Sequence, residues 1–221
     1  MNPLDRQRYV ERYTSRYRRF GYDPLTLGWG KGGRQEIRFA ALLGMAPEPR
    51  GRVLDVGCGF GDLYGYLRKV GWEGDYVGLD IVPKLLEVAR EQYPGIDVRA
   101  CDILEEGASP GEFDYVVASG VFNARLHGES NETYIGAMLR RMLGLARVGV
   151  AADFLSTHVD FRHEDAHHSD PAALLGLAMK LTRRAAVRHD YLPFEFCVYL
   201  YKQSGITADS RYAVEPGARE S

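Results

Sequence analysis

The chain has 221 residues, 28 Lys and Arg against 30 Asp and Glu, and a formal net charge of −2, a near-neutral balance that argues against broad attraction to nucleic acid. With 45% hydrophobic and 26% charged residues it is long enough to bury the core of one substantial domain, and disorder, collagen and coiled coil are excluded. No apolar run nears the roughly 18 residues of a membrane span, the start MNPLDRQRYVERY lacks a signal-peptide core, and Cys58, Cys101 and Cys197 are widely spaced, so a cytoplasmic protein with reduced thiols is expected.

Residues 1–20 place Tyr9, Tyr13 and Tyr17 on one helical face among six arginines, against only Asp5 and Glu11. That face is either a packing surface or a surface for substrate or nucleic acid. Five glycines follow between Gly21 and Gly33, with Tyr22, Trp29 and Phe39 around them. Residues 21–39 therefore read as a lid too flexible for regular structure. Beyond residue 50, apolar strands alternate with helical stretches. Strands are expected at 52–59, 75–81, 96–102, 113–120 and 147–156, with helices at 62–71, after Pro83, and at 131–146. Such alternation implies βαβ crossovers and a parallel sheet. Asp170-Pro171 opens a helix over 171–182. Two β-rich runs, 184–189 and 195–202, then have no room for a helix between them and must pair antiparallel at one sheet edge. Residues 204–221 read as a flexible tail.

The densest signal is VLDVGCGFGDL, residues 53–63, where a strand runs into glycines at 57, 59 and 61 before a helix. Asp62 stands where a nicotinamide-binding fingerprint needs its third glycine, which weakens a hydride-transfer reading. Asp55 inside the strand is a carboxylate that must find a partner if it is buried.

The run Asp55-Val56-Gly57-Cys58-Gly59-Phe60-Gly61 resembles the first motif of the class I S-adenosylmethionine-dependent methyltransferases, and the likeness continues in order over roughly residues 50–202. The resemblance implies an α/β, Rossmann-like, seven-stranded, mostly parallel sheet with an antiparallel C-terminal strand, helices on both faces and an N-terminal helical lid. It implies S-adenosylmethionine as methyl donor and S-adenosylhomocysteine as product. By position, Asp55, Gly57, Cys58, Gly59 and Gly61 would form the glycine loop; Asp80, with Ile81, would take the ribose hydroxyls; Asp102, with Ile103, would take the adenine amine; and Ser119 would meet the methionine portion. From the lid, Trp29, Lys31 and Gln35 would cover the cofactor.

Ligands of open α/β sheets lie beyond the carboxyl ends of the strands. That rule selects His158 and Asn123 as candidate catalytic residues, with His158 the best-placed titratable group. Ser119-Gly120-Val121-Phe122-Asn123 stands where methyltransferases of base or amide nitrogens carry N/D-P-P-Y, which favours a small-molecule acceptor. An RNA or tRNA methyltransferase using the basic N-terminal helix and a non-catalytic S-adenosylmethionine binder are the alternatives. His163-Glu164-Asp165-Ala166-His167 formally matches the H-E-x-x-H of zinc peptidases, but it is short, polar and stopped by Asp170-Pro171, so no metal is expected. The organisation expected is an N-terminal helix and lid over 1–45, a cofactor-binding domain over 46–203, and the tail. Oligomeric state is left open.

Overall fold

The computed structural model describes residues 1–29, 34–108 and 110–202. Lys31 and the tail at 204–221 lie outside the described residues. Val53–Val56 (β1), Tyr76–Asp80 (β2), Val98–Ala100 (β3), Phe113–Ala118 (β4), Ala146–Leu155 (β5), Ala185–Leu192 (β6) and Glu195–Tyr201 (β7) form one sheet in the order β3-β2-β1-β4-β5-β7-β6. Its first five strands run parallel, and β7 inserts antiparallel between β5 and β6. The β6–β7 hairpin closes on Leu192 opposite Glu195, with Pro193 and Phe194 at its tip.

Strands β1 and β2 are buried throughout, so they read as continuous apolar runs broken only by Asp55, Gly78 and Asp80. One face of the sheet packs on Gln35–Leu43 (α2), Asp62–Lys69 (α3) and Pro83–Gln92 (α4) through Phe39, Leu42, Leu63, Leu67, Leu86 and Ala89. The other packs on Asn131–Leu145 (α5) and Pro171–Leu181 (α6) through Tyr134, Met138, Leu139, Leu174 and Ala178. Burial at roughly 25 cal/mol per Å² of apolar surface is what holds these layers together. Pro3–Phe20 (α1) crosses the carboxyl ends of the strands. Asn2 caps α1 by accepting from the Leu4 N–H at 2.9 Å, and buried Asp5 accepts from the His127 and Gly128 N–H groups at 2.8 and 2.9 Å, fastening α1 to the loop before α5. No helix among the described residues is long and apolar enough to cross a membrane.

The structure corrects the reading of residues 21–39 as irregular throughout. Gln35–Leu43 is a helix, and Phe39 and Arg38 within it are buried. Five glycines upstream drew attention away from QEIRFAALL, whose apolar spacing is helical. Residues 21–28 form consecutive turns held to α1, with Arg16 Nε donating to the Thr26 carbonyl at 2.9 Å and Thr26 Oγ1 donating to the Gly21 carbonyl at 2.8 Å.

Candidate active site: two cavities meeting at Trp29

The loop after β1 is pinned to the end of β2. Gly57 and Cys58 N–H donate to the Leu79 carbonyl at 2.7 and 3.0 Å, and Gly59 N–H donates to Asp80 Oδ2 at 2.8 Å. Gly57 has φ +76, and a Cβ there would lie 2.4 Å from Val121 Cγ2, so both the turn and the close approach exclude a side chain. Asp80 Oδ1 accepts from Val82 N–H at 2.8 Å, which leaves further lone pairs on both oxygens. Burial raises the Asp80 carboxyl above the ordinary range, and the backbone donors oppose that rise.

These residues line a first cavity with about 920 Å³ of empty space counting its mouth. Of the sequence-selected residues, Asp55, Gly57, Cys58, Gly59, Asp80, Ile81, Asp102, Ile103, Ser119, Trp29 and Gln35 all line it. Gly61 does not. It is the left-handed N-cap of α3 and turns toward Ile96, whose Cδ1 would sit 2.7 Å from an added Cβ. Asp55 finds its partner in Tyr76, whose hydroxyl donates to Oδ2 at 2.8 Å, and desolvation pushes its carboxyl up to about 7. Asp102 Oδ1 accepts from Leu104 N–H at 3.0 Å, and Oδ2 accepts from the α-amino group of Met1 at 2.8 Å. Tyr9 and Tyr13 of the tyrosine stripe also line the cavity, while Tyr17 packs on Phe60. The stripe is therefore both packing face and wall.

The roof is tied down through Asp62 at the start of α3. Tyr22 Oη donates to Asp62 Oδ1 at 2.8 Å and Gln35 Nε2 to Oδ2 at 3.0 Å, one from each side of the glycine run. Trp29 packs over Gly120, where an added Cβ would lie 2.4 Å from the indole.

Asp153, near the end of β5, was not singled out from the sequence. It is buried, accepts from Ser119 Oγ at 2.7 Å and from the Gly120 N–H at 2.6 Å, and so fixes the turn that ends β4. Burial pushes its carboxyl up to about 6 against those donors. Its sequence signal is the same as that of Asp55, a lone carboxylate inside an apolar strand.

A second cavity opens on the other side of Trp29 and shares Tyr13, Leu27, Trp29 and Gly120 with the first. Asn123 lines it, and the Asn123 Oδ1 accepts from Leu155 N–H at 3.0 Å, bracing the loop after β4 against β5. His158 is not among the lining residues of either cavity. It is exposed, with its ring 6.3 Å from that of His189, because the loop after β5 carries it outward past Ser156. His163 and His168 from the same loop line the second cavity instead. Residues 163–167 form a turn and an isolated bridge to Ala124, not a helix, so the two ends of H-E-x-x-H do not share a helical face. Arg38 and Glu195, which sequence reading also passed over, form a buried bidentate ion pair on this cavity's wall, with Arg38 stacked 4.2 Å from the Trp29 ring centroid.

The first cavity suits a ligand with a diol and positive charge. Asp55, Asp80 and Asp102 line it, and among its described lining residues there is no lysine or arginine, the Met1 ammonium being paired with Asp102. Comparison with known proteins agrees. Residues 53–144 match the model of a methyltransferase domain. The protein Rv1506c of Mycobacterium tuberculosis, which bears a methyltransferase's name, is 33% identical over 156 residues, covering 68% of this chain and 92% of its own length. A ribosomal protein L11 methyltransferase of Cupriavidus necator is 41% identical over 76 residues, 34% of this chain and 25% of that protein. Among solved structures, magnesium protoporphyrin IX methyltransferase from Synechocystis with bound S-adenosylhomocysteine superposes with a TM-score of 0.63 at 16% identity, covering 90% of this chain and 100% of that one. A TehB-like methyltransferase from Corynebacterium glutamicum gives 0.58 at 21%, with coverage of 90% and 100%. The chain belongs to the class I S-adenosylmethionine-dependent methyltransferases. It is an enzyme whose methyl donor is S-adenosylmethionine and whose product is S-adenosylhomocysteine.

Proposed function

We propose that the enzyme methylates a small molecule held in the second cavity. The observation that carries this reading is the shared wall of Tyr13, Leu27, Trp29 and Gly120, which puts a second enclosed space directly beside the first. Two of the six N-terminal arginines are committed within the fold. Arg6 pairs with Glu105, Arg16 is spent on the Thr26 and Leu25 carbonyls, and Arg12 turns into the second cavity. Arg8, Arg12, Arg18 and Arg19 stay exposed, so salt-dependent RNA binding is the measurement that separates the two acceptors.

Within this reading the glycine loop and Asp80 hold the ribose end, Asp102 the adenine end, and Ser119 and Gly120, set by Asp153, the methionine end. Residues 1–45 act as the roof, with Trp29 and Gln35 over the cofactor. S-adenosylmethionine supplies an electrophilic methyl group on a sulfonium, so the protein's task is alignment of the nucleophile and exclusion of water. Trp29 separates the two spaces and presents an aromatic face to positive charge, an interaction worth roughly 0.5–2 kcal/mol. The fold and the family suit a cytoplasmic enzyme acting on a metabolite. The test is a cavity-filling change, Val159→Trp, in the second cavity. It should abolish turnover to S-adenosylhomocysteine with a metabolite pool while leaving S-adenosylhomocysteine affinity, measured by calorimetry, unchanged. Retained turnover would remove the second cavity as the acceptor site.

A further inference from the structure

Two buried polar atoms on residues of the second cavity have no hydrogen-bond partner among the described residues: Arg38 Nη1 and His168 Nε2. Buried polar groups are almost always paired, so an orphan specifies the chemistry of what completes it.

Arg38 is 6% exposed. Its Nε and Nη2 donate to the two Glu195 oxygens and its face lies on Trp29. The two N–H bonds of Nη1 are left over, and they need an oxygen. His168 Nδ1 lies 2.9 Å from the Ser156 carbonyl. A carbonyl only accepts, so Nδ1 carries a hydrogen, and in that tautomer Nε2 holds a lone pair that needs an O–H or N–H. One cavity thus lacks an acceptor at one point and a donor at another.

The rest of the wall says more about the missing acceptor. Arg12 and Arg34 line the same cavity without an ion pair among the described residues, whereas Arg16 is already spent and Arg38 is paired. Four guanidiniums face two carboxylates, Asp165 and Glu195, so an oxygen brought to Arg38 enters a positive field. Arginine is the side chain best shaped for carboxylate oxygens. Trp29, Phe161 and Phe194 add flat apolar surface.

We infer that the methyl acceptor is a carboxylic acid with an apolar or aromatic body and a second group, hydroxyl or amine, that is the nucleophile. The inference rests on the reading of the second cavity as the acceptor site. The carboxylate takes the Arg38 Nη1 hydrogens in the field of Arg12 and Arg34, and the O–H or N–H donates to His168 Nε2. In the transfer, a lone pair of the acceptor's oxygen or nitrogen forms the new bond to the methyl carbon. The carbon–sulfur bond breaks with its electron pair left on sulfur as the thioether. The acceptor's proton passes to His168 Nε2. His168 is thereby a catalytic residue of a kind His158, outside the cavity, is not.

The experiment titrates the S-adenosylhomocysteine complex with 4-hydroxybenzoate, 4-aminobenzoate and the methyl ester of each, and follows turnover of the same four with S-adenosylmethionine. At least one acid should bind about tenfold or more tighter than its ester. Arg34→Gln, which thins the field and leaves the Arg38 contact, should reduce that preference a few-fold without changing S-adenosylhomocysteine affinity. His168→Asn should lower kcat about 100-fold or more with KM nearly unchanged, the signature of a lost base and not of a lost fold. The hydroxy and amino arms report which nucleophile is used. Equal binding of acids and esters, binding by neither acid, or an unchanged kcat in His168→Asn overturns the inference. If Val159→Trp stops turnover while acid and ester behave alike, only the substrate class falls. If turnover survives Val159→Trp, the acceptor-site reading itself has failed.

Discussion

The two cavities share four wall residues and are opposites in charge. The first carries Asp55, Asp80 and Asp102 against the Met1 ammonium alone among its described lining residues; the second carries four arginines against Asp165 and Glu195. The first is assembled at the ends of β1, β2 and β3 and the turn after β4, from backbone donors and carboxylates that successive strands deliver to one edge of the sheet. The second is assembled from partners distant in the chain, above all Arg38 and Glu195. A cationic methyl donor and an anionic acceptor would each find a complementary wall, with Trp29 between them.

The most damaging way to break that division is at a residue both cavities share. Gly120→Val puts a side chain where φ is +72 and where Trp29 lies 2.4 Å from the Cβ position. Left-handed strain of about 1–2 kcal/mol and overpacking of about 1–3 kcal/mol should together weaken S-adenosylhomocysteine binding on the order of 100-fold and lower the melting temperature. Affinity near wild type would mean that the Trp29 wall yields freely.

Asp80→Ala attacks the acidic cavity alone. It strips the acceptor from the Gly59 and Val82 N–H groups, and a charge-assisted hydrogen bond is worth about 1.5–3 kcal/mol, or roughly 10- to 150-fold in affinity. Calorimetry should register that loss for S-adenosylhomocysteine, while acceptor KM at saturating donor stays put. If acceptor KM changes equally, the two cavities do not act separately.

A smaller effect comes from pH. Asp55 is pushed up to about 7 and Asp153 up to about 6, so the folded chain keeps protons that the unfolded chain has lost above its ordinary carboxyl pKa near 3.9. Folding then takes up protons in this window, and stability falls as pH rises from about 4 through about 7. The apo enzyme should melt several degrees higher at pH 5.5 than at pH 8, at about 2–4 °C for each kcal/mol. Asp55→Asn should flatten the slope. A slope of the same size in that variant would assign the dependence to other groups.

The mildest change is Gln35→Ala, which removes one donor to Asp62 and leaves Tyr22 on the other oxygen. A net loss of about 0.5–1.5 kcal/mol should weaken S-adenosylhomocysteine binding only a few-fold. No change at all would show that the roof is held by α1 and Tyr22 without Gln35.

The same contrast explains what could be read from the sequence. The strands, the antiparallel end and most of the acidic cavity follow from local patterns: apolar runs, glycines at 57 and 59, and an aspartate at each of two strand ends. Gly61 was read as part of the cavity because spacing gives its place in the loop and not the direction it faces. The basic cavity had no such signature. Nothing near Arg38 in sequence announces Glu195, 157 positions later, and nothing in THVDFRHEDAHH says which histidine the loop turns inward. His158 stood closer to the strand end, but the bridge between Ser156 and Ser169 folds the loop back and delivers His168. Asp153 is legible in principle, as a lone carboxylate in an apolar strand.

The bond between α2 and β7 also bears on how the enzyme comes into being. Arg38 and the Ala41 carbonyl are anchored by Glu195 and Tyr199, both on β7, the final strand of the described sheet. Every residue lining the acidic cavity lies at or before Met138. A growing chain therefore possesses all the residues of its donor cavity well before it can clamp α2, and contacts that span most of the sequence are the slowest to form. Newly made molecules hold every lining residue of the donor cavity before Asp153 can set its Ser119–Gly120 turn, and the wall that Glu195 supplies to the second cavity comes later still.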